Sequence, residues 1–344
     1  MGSGAAERAR LPVIRVANAP CSWGVLEFEA RQARGAPAAQ VLDEMAAAGY
    51  AGTELGDWGF LPTDPAALAS EVAQRKLALV GGFVPIALAK EEALAEGIER
   101  AVQTARLMKA ATGSDPNLGS DPIFAAAWQH TKATTGLQGS DPQDASDPAI
   151  VLSDDNATIP HRTLRAGRIR PEDGLTDAEW DGFAARAARV ASAVRDATGL
   201  RTVFHHHCAG YVETPRELEA LMSRTPADLL GLCLDTGHLT YGGGNAVDAI
   251  ARYRERIWHV HFKDCEPELA KRARTEGWDY HTAVRHGIFC ELGKGMVPFR
   301  QVLDALRVEY YDGWIVVEQD VLPGLGTPAA SARRNREFIA RLGV

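Results

Sequence analysis

Six of the chain's ten histidines sit in three short stretches: His205-His206-His207, Asp235-Thr236-Gly237-His238 and His259-Val260-His261-Phe262-Lys263. Further on, Val317-Glu318-Gln319-Asp320 adds two carboxylates. Imidazole and carboxylate together suit a divalent cation of hard to borderline character. Two nitrogens with two carboxylates would hold Mn²⁺, the ion expected here, or Co²⁺, Zn²⁺ or Mg²⁺, and leave coordination positions open. An open position is the mark of a catalytic metal.

Such residues meet only if the fold brings them together. Short β-rich runs alternate with longer amphipathic ones from about residue 13 to the end, which predicts a parallel sheet with helical crossovers. The predicted strands are Val13–Ala17, Gly52–Leu55, Ala78–Phe83, Ala149–Ser153, Thr202–His207, Leu230–Asp235, Trp258–Phe262 and Trp314–Glu318. Asp64-Pro65 reads as an N-cap followed by proline in the first turn. Thr176 with Glu179 and Thr214 with Glu217 read as capping boxes. Eight strand–helix units predict an α/β fold, a (β/α)8 TIM barrel, in one domain over residues 11–344 behind a flexible start at 1–10. A doubly wound open sheet is the alternative, but no G-x-G-x-x-G follows the first strand. Residues 113–148 break the rhythm with Gly-Ser-Asp-Pro at 113, 119 and 139 and Ser-Asp-Pro at 146. They read as an irregular insertion between the third helix and the fourth strand, with one short helix at Ile123–Thr131. The helix-to-strand side of a barrel is remote from its chemistry, so a structural or oligomer-contact role is expected there.

In a barrel the C-terminal ends of the strands converge on one site. Alternation puts His205 and His207 on one face of their strand and turns His206 away toward the barrel wall. His259 and His261 likewise share a face. The last inward residues, His205, Asp235, His261 and Glu318, form the candidate metal set. Buried carboxylates without a cation or partner would be costly, which favours that reading over isolated structural roles. Asp235 and His238 alone could be a turn with a helix cap. Other strand ends offer groups for substrate. Trp23 could stack on a sugar-like ring or be a core indole with its N–H bonded. Glu54 could be a general acid or base, or simply accept bonds from Trp23 or Trp58. Asp154 and Asn156 follow the fourth strand, and His259 lies beside the ligands. Lys263 could stabilise an enolate or pair with Asp264 or Glu266 on the rim.

The bulk numbers narrow the partners. The 344 residues carry a net charge of −8, with 37 Lys and Arg scattered along the chain, so no strip is set to neutralise phosphates and nucleic acid is not expected. No apolar run reaches the roughly 20 residues of a membrane span. Five cysteines without a C-x-x-C fit reduced thiols, and a cytoplasmic location is expected.

The stretches CSWG, TELGDWGF, VLSDDN, FHHHCAGYVETPRELEALM, LGLCLDTGHLTYGGG, IWHVHFKD, GIFCELGKGMVPF and YDGWIVVEQD resemble, in order, the strand-end motifs of inosose dehydratases. These are 2-keto-myo-inositol dehydratases of the xylose-isomerase-like TIM barrel superfamily. The resemblance spans nearly the whole chain outside 113–148. It implies a metal held by His205, Asp235, His261 and Glu318, and a substrate contact for His238. Where the ketose epimerase branch carries a glutamate this chain has His205, which points away from a two-glutamate epimerase mechanism. A keto-polyol is the implied substrate, in inositol or related carbohydrate catabolism, and a homodimer is compatible with the fold. The implied reaction is β-elimination of water through an enediolate. Glu54 or His207 would be the base, Lys263 the charge stabiliser, and His238 or His207 the acid. The alternatives are a ketose epimerase or isomerase, a 3-keto-glycoside lyase, and a non-catalytic sugar-binding module. The net charge argues against the superfamily's DNA-repair endonucleases.

Overall fold

The computed structural model describes residues 12–23, 36–113, 147–319 and 326–344. Eight parallel strands close into a barrel: β1 (Ile14–Asn18), β2 (Gly52–Glu54), β3 (Ala78–Pro85), β4 (Ala149–Ser153), β5 (Thr202–His205), β6 (Leu230–Asp235), β7 (Ile257–Phe262) and β10 (Gly313–Val317). Each matches a predicted strand to within two residues at either end. β5 stops at His205, so His206 and His207 belong to the following loop, and β10 stops one residue short of Glu318. The predicted helix at Ile123–Thr131 and most of the 113–148 insertion lie outside the described residues, as does the N-terminal start.

Alternation along the strands sorts side chains as a parallel barrel requires. Phe204, Leu232, Leu234, Val260 and Phe262 face outward into the large apolar layer beneath the helices. Val151, Val203 and Cys233 face the barrel interior and pack together there. The inward file of β5 therefore runs from Val203 to His205, that of β6 from Cys233 to Asp235, and that of β7 from His259 to His261. The pairing places Asp235 opposite His261 and His261 opposite Val316. Beyond the end of β10, Glu318 N donates to Phe262 O at 3.0 Å, which carries the ladder one residue further and seats Glu318 beside His261.

The caps read from the sequence are present. Asp64 accepts Ala67 N at 2.8 Å. Both Thr176–Glu179 and Thr214–Glu217 close as reciprocal boxes, each worth about 1 kcal/mol by the usual cap scale. The second of these starts helix Pro215–Arg224 close behind the histidine run and limits how far that loop can wander.

The segment after β7 was not predicted. Between Phe262 and helix Phe299–Val308 the chain forms a strap, made of β8 (Asp264–Cys265), helix Pro267–Glu276, helix Tyr280–Arg285 and β9 (Phe289–Cys290), with β8 and β9 antiparallel. Its return is pinned by Asp264, whose carboxylate accepts backbone N–H groups from Cys265, Gly293, Gly295 and Val297 at 2.8–3.0 Å. A side chain at Gly295 would strike that carboxylate.

Candidate metal centre

His205, Asp235, His261 and Glu318 each offer a donor atom, and the four donors lie within 4.8 Å of one another. His205 Nε2 is 3.6 Å from Asp235 Oδ2, and His261 Nδ1 is 3.2 Å from Glu318 Oε1. Local structure aims each donor inward. Asp235 is the N-cap of helix Thr236–Tyr241, and its Oδ1 accepts His238 N at 2.7 Å, which leaves Oδ2 turned to the centre. Glu54 Oε1 accepts from His261 Nε2 at 2.9 Å, which presents Nδ1 to the centre.

Several of these atoms are buried with no hydrogen-bond partner: both ring nitrogens of His205, Asp235 Oδ2 and His261 Nδ1. Orphaned polar atoms at this density are costly unless something bonds to them. Their chemistry, two imidazole nitrogens and two carboxylates around one point, fits a divalent cation. Burial alone would raise the Asp235 and Glu318 carboxyls. His205 and Lys263 outweigh it at Asp235, and His261 and Lys263 at Glu318, so both are held below the ordinary carboxylate range. Burial lowers His205. Burial would lower His261 as well, but Cys233, Glu318 and Glu54 outweigh it and hold it well above the ordinary histidine range, so that ring must give up a proton to a metal while the ionised carboxylates and the uncharged His205 need not.

A second group, Cys233, His259 and His261, also comes within 4.8 Å one layer deeper. It differs in one respect. Glu54 Oε1 already takes the Nε2 bonds of His259 at 2.8 Å and His261 at 2.9 Å, so that layer is satisfied by its own hydrogen bonds. Burial would raise the Glu54 carboxyl, but the two histidines outweigh it and bring it to about 2.

Glu54 and His259 meet beneath the metal set, where Glu54 Oε1 accepts from His259 and from the metal-set residue His261. The inward file of β7 is the reason: His259 precedes His261 by two residues and stands one step deeper, with the two rings 5.3 Å apart and both bonded to Glu54 Oε1. Trp23 is a core residue whose indole N–H donates to Glu44 Oε2 at 2.6 Å. Asp154 is spent on loop backbones, accepting Leu88 N at 3.3 Å and Tyr211 N at 3.1 Å, and burial raises its carboxyl to about 6. Asn156 donates to Ser153 Oγ at 2.7 Å. No described contact brings these three side chains to the metal set. His206 does point away from the donors, but toward β6, where its Nε2 accepts Asp235 N at 3.1 Å.

Three expected residues gather on the outer side of the set. Lys263 Nζ is 3.2 Å from Glu318 Oε2 and 3.3 Å from His238 Nε2, so it pairs with a member of the metal set. The His207 and His238 rings stand 3.8 Å apart. Burial, then His207 and Lys263, hold His238 well below the ordinary histidine range. Phe289, on the strap, closes this side with its ring 4.7 Å from His238 and 4.9 Å from Lys263 Nζ.

Sequence reasoning missed the strap and the buried brace behind His207. Arg162 is fully buried, makes a two-pronged pair with Glu217 at 2.7 and 2.9 Å, and donates to Gly210 O at 2.7 Å. Glu213 accepts Ala209 N and Gly167 N at 2.7 Å each. The only hint of this brace in the sequence was the capping glutamate, Glu217.

The family model described as xylose isomerase-like TIM barrel matches residues 150–342. An inosose dehydratase of Geobacillus kaustophilus is 28% identical over 303 residues, 88% of this chain and 86% of that one. Among solved structures, L-ribulose 3-epimerase superposes with a TM-score of 0.62 at 17% identity, covering 96% of this chain and 94% of its own. The IOLI protein with a binding zinc atom superposes with a TM-score of 0.61 at 13% identity, covering 95% and 97%. These two structures share the fold.

Proposed function

This chain belongs to the xylose isomerase-like TIM barrel family, and from that premise we propose that it is a metal-dependent carbon–oxygen lyase removing water from a cyclic keto-polyol such as 2-keto-myo-inositol. The observation that carries this reading is the four-donor set with its orphaned inward atoms, lying directly against Lys263, His207 and His238. The choice of dehydration within the family is supported by the inosose dehydratase relative, which aligns along most of both chains.

His205, Asp235, His261 and Glu318 would hold the cation, with Mn²⁺ the ion proposed. A divalent cation bound there supplies Lewis acidity at the substrate's carbonyl. The chain's own residues do the rest. Lys263 keeps its ammonium beside Glu318 and His238, where it faces the negative charge that grows on the substrate's oxygens as the α-proton leaves. His238 brings its Nε2 to 3.3 Å from Lys263 Nζ and packs against His207, beside the reacting atoms.

His207 is the proposed proton-transfer group. Its Nδ1 lies 2.6 Å from Cys208 O. A carbonyl only accepts, so Nδ1 carries a hydrogen and Nε2 is the nitrogen proposed to exchange a proton with the substrate. Nε2 removes the α-proton, the C–O bond to the β-hydroxyl breaks as the double bond forms, and the departing hydroxide takes the proton back from Nε2 to leave as water. The neutral product is a dione in its enol form. Phe289 and the strap keep bulk water from the charge that builds up.

The test is direct. Protein loaded in turn with Mn²⁺, Co²⁺, Zn²⁺ and Mg²⁺ is mixed with 2-keto-myo-inositol, and the product's ultraviolet absorbance is followed. Absorbance growth with at least one metal supports the reading. No signal with any of them removes this substrate, and an epimerised ketose carrying solvent deuterium, seen by NMR in D₂O, would place the reaction in the isomerase class.

A further inference from the structure

Ala209 is fully buried and takes a positive φ of 64°, a left-handed conformation that strains an alanine and not a glycine. It stands third in a turn that starts at His207, whose carbonyl accepts Gly210 N at 3.4 Å. A left-handed third residue is where such turns ordinarily carry glycine. His207 also ties the loop from its other side, since its N–H donates to Val212 O at 3.1 Å. The conformation of Ala209 therefore sets the backbone from which the His207 side chain projects.

Strain of this kind persists only where the surroundings enforce it. Glu213 supplies the force: its Oε2 accepts Ala209 N at 2.7 Å, and its Oε1 accepts Gly167 N at the same distance. Gly167 is left-handed too, with a φ of 75°, and a side chain there would strike the Tyr241 ring. One buried carboxyl thus clamps two left-handed residues, of which only one is a glycine. Burial works against its charge and pushes it up to about 7, although both N–H bonds and Arg162 pull the other way.

We propose that Glu213 is a positioning residue, which holds Ala209 left-handed and so fixes the turn that presents His207 to the site. The inference rests on the reading of His207 as the proton-transfer group. Arg162 Nε donates to Gly210 O at 2.7 Å, and Asp154 Oδ2 accepts Tyr211 N at 3.1 Å. Both act on residues after Ala209, so removing the Glu213 carboxyl releases the turn without freeing the rest of the loop.

Glu213→Leu keeps much of the volume and accepts nothing. At about pH 8.5, where the native carboxyl is ionised, kcat on a keto-polyol should fall at least about tenfold with KM within about twofold of the original. Adding Ala209→Gly should return kcat to within about threefold, because glycine takes the left-handed conformation unaided. A purely structural role would lower stability without this fall and rescue. An unchanged kcat in Glu213→Leu, or a loss that Ala209→Gly leaves in place, overturns the proposal. Crystals of Glu213→Leu should show Ala209 at negative φ and His207 shifted from its place 3.8 Å from the His238 ring, and an unmoved turn overturns it as well. The crystals need no substrate, so a native protein that turns over no keto-polyol refutes the lyase reading and still tests the clamp. Should Glu213→Leu not fold, the double variant decides. Folding with His207 in its native place sustains the proposal, and failure to fold overturns it, because the carboxyl would then be holding the fold and not the turn.

Discussion

Replacing Glu54 by glutamine separates two roles that its position at a strand end allows. The carboxylate lies beneath the metal set and binds His259 and His261 through one oxygen at 2.8 and 2.9 Å. Glutamine keeps the shape and the accepting oxygen but not the charge, so two charge-assisted bonds become neutral. Each loses about 1 kcal/mol, the difference between typical charged and neutral hydrogen bonds. Only the His261 bond acts on a metal donor, so metal affinity should drop about tenfold, the lower end of the usual effect for a group that orients a metal-bound histidine. Isothermal titration of metal-free protein with Mn²⁺, or competition against a chelator, reads this out. At saturating metal the variant should recover kcat to within about threefold, because Glu54 has no part on the substrate's side. Unchanged affinity combined with a kcat that stays more than about a hundredfold low at saturating metal would refute the reasoning and return Glu54 to the role of base.

His205→Ala should weaken metal binding roughly a hundredfold, since four donors share a total of about 10–16 kcal/mol in tight zinc sites and each accounts for about 3. His206→Ala should cost less than about tenfold, because its ring bonds the backbone N–H of Asp235 and stacks beside His205 without offering the centre a donor. Equal losses in the two variants, measured by the same titration, would show the loop register to be wrong. Arg162→Ala leaves Glu217 buried without its partner and should destabilise the fold by about 3–5 kcal/mol in urea unfolding. A loss under about 1 kcal/mol would mean that the pair is not closed in solution. Burial would raise the Glu291 carboxyl, but Arg334, Lys294 and Ser331 outweigh it and bring it down to about 2. A lowered carboxyl stabilises the fold above its unfolded value near 4.5, and that contribution fades as the pH falls from there through about 2. Solvent screening limits it to about 1 kcal/mol. Glu291→Gln should therefore remove about that much stability at pH 6 and almost none at pH 2, and a loss that is the same at both would exclude the linkage.

What was legible in the sequence follows from where side chains must go. The eight barrel strands are covered on both faces, so Ile150, Val203, Leu232 and Val260 make apolar runs that announce themselves without regard to neighbours. The metal set was legible because a strand end combined with period-two alternation fixes both depth and direction, as at Asp235 and His261. Depth is harder to read than direction. Glu54 and His259 are inward-facing residues near strand ends, and nothing in the sequence says that β2 is staggered against β3 by a register shift between Thr53 and Glu54. Glu54 consequently meets the β7 histidines from below. Trp23 offered an indole with two uses, and the choice depended on Glu44, a helical residue 21 positions away. The strap was illegible for a different reason. Its two strands are two residues long, and its contribution to the site, Phe289, comes from a strand too short to show alternation.

The central claim is that one divalent cation is held by His205, Asp235, His261 and Glu318. Anomalous diffraction from crystals grown with Mn²⁺ tests it most directly. The account predicts one strong peak about 2.0–2.3 Å from a nitrogen of His205, Asp235 Oδ2, His261 Nδ1 and a Glu318 oxygen, at distances usual for nitrogen and carboxylate donors. A peak in the layer of Cys233 and His259, or none among these side chains, would contradict it.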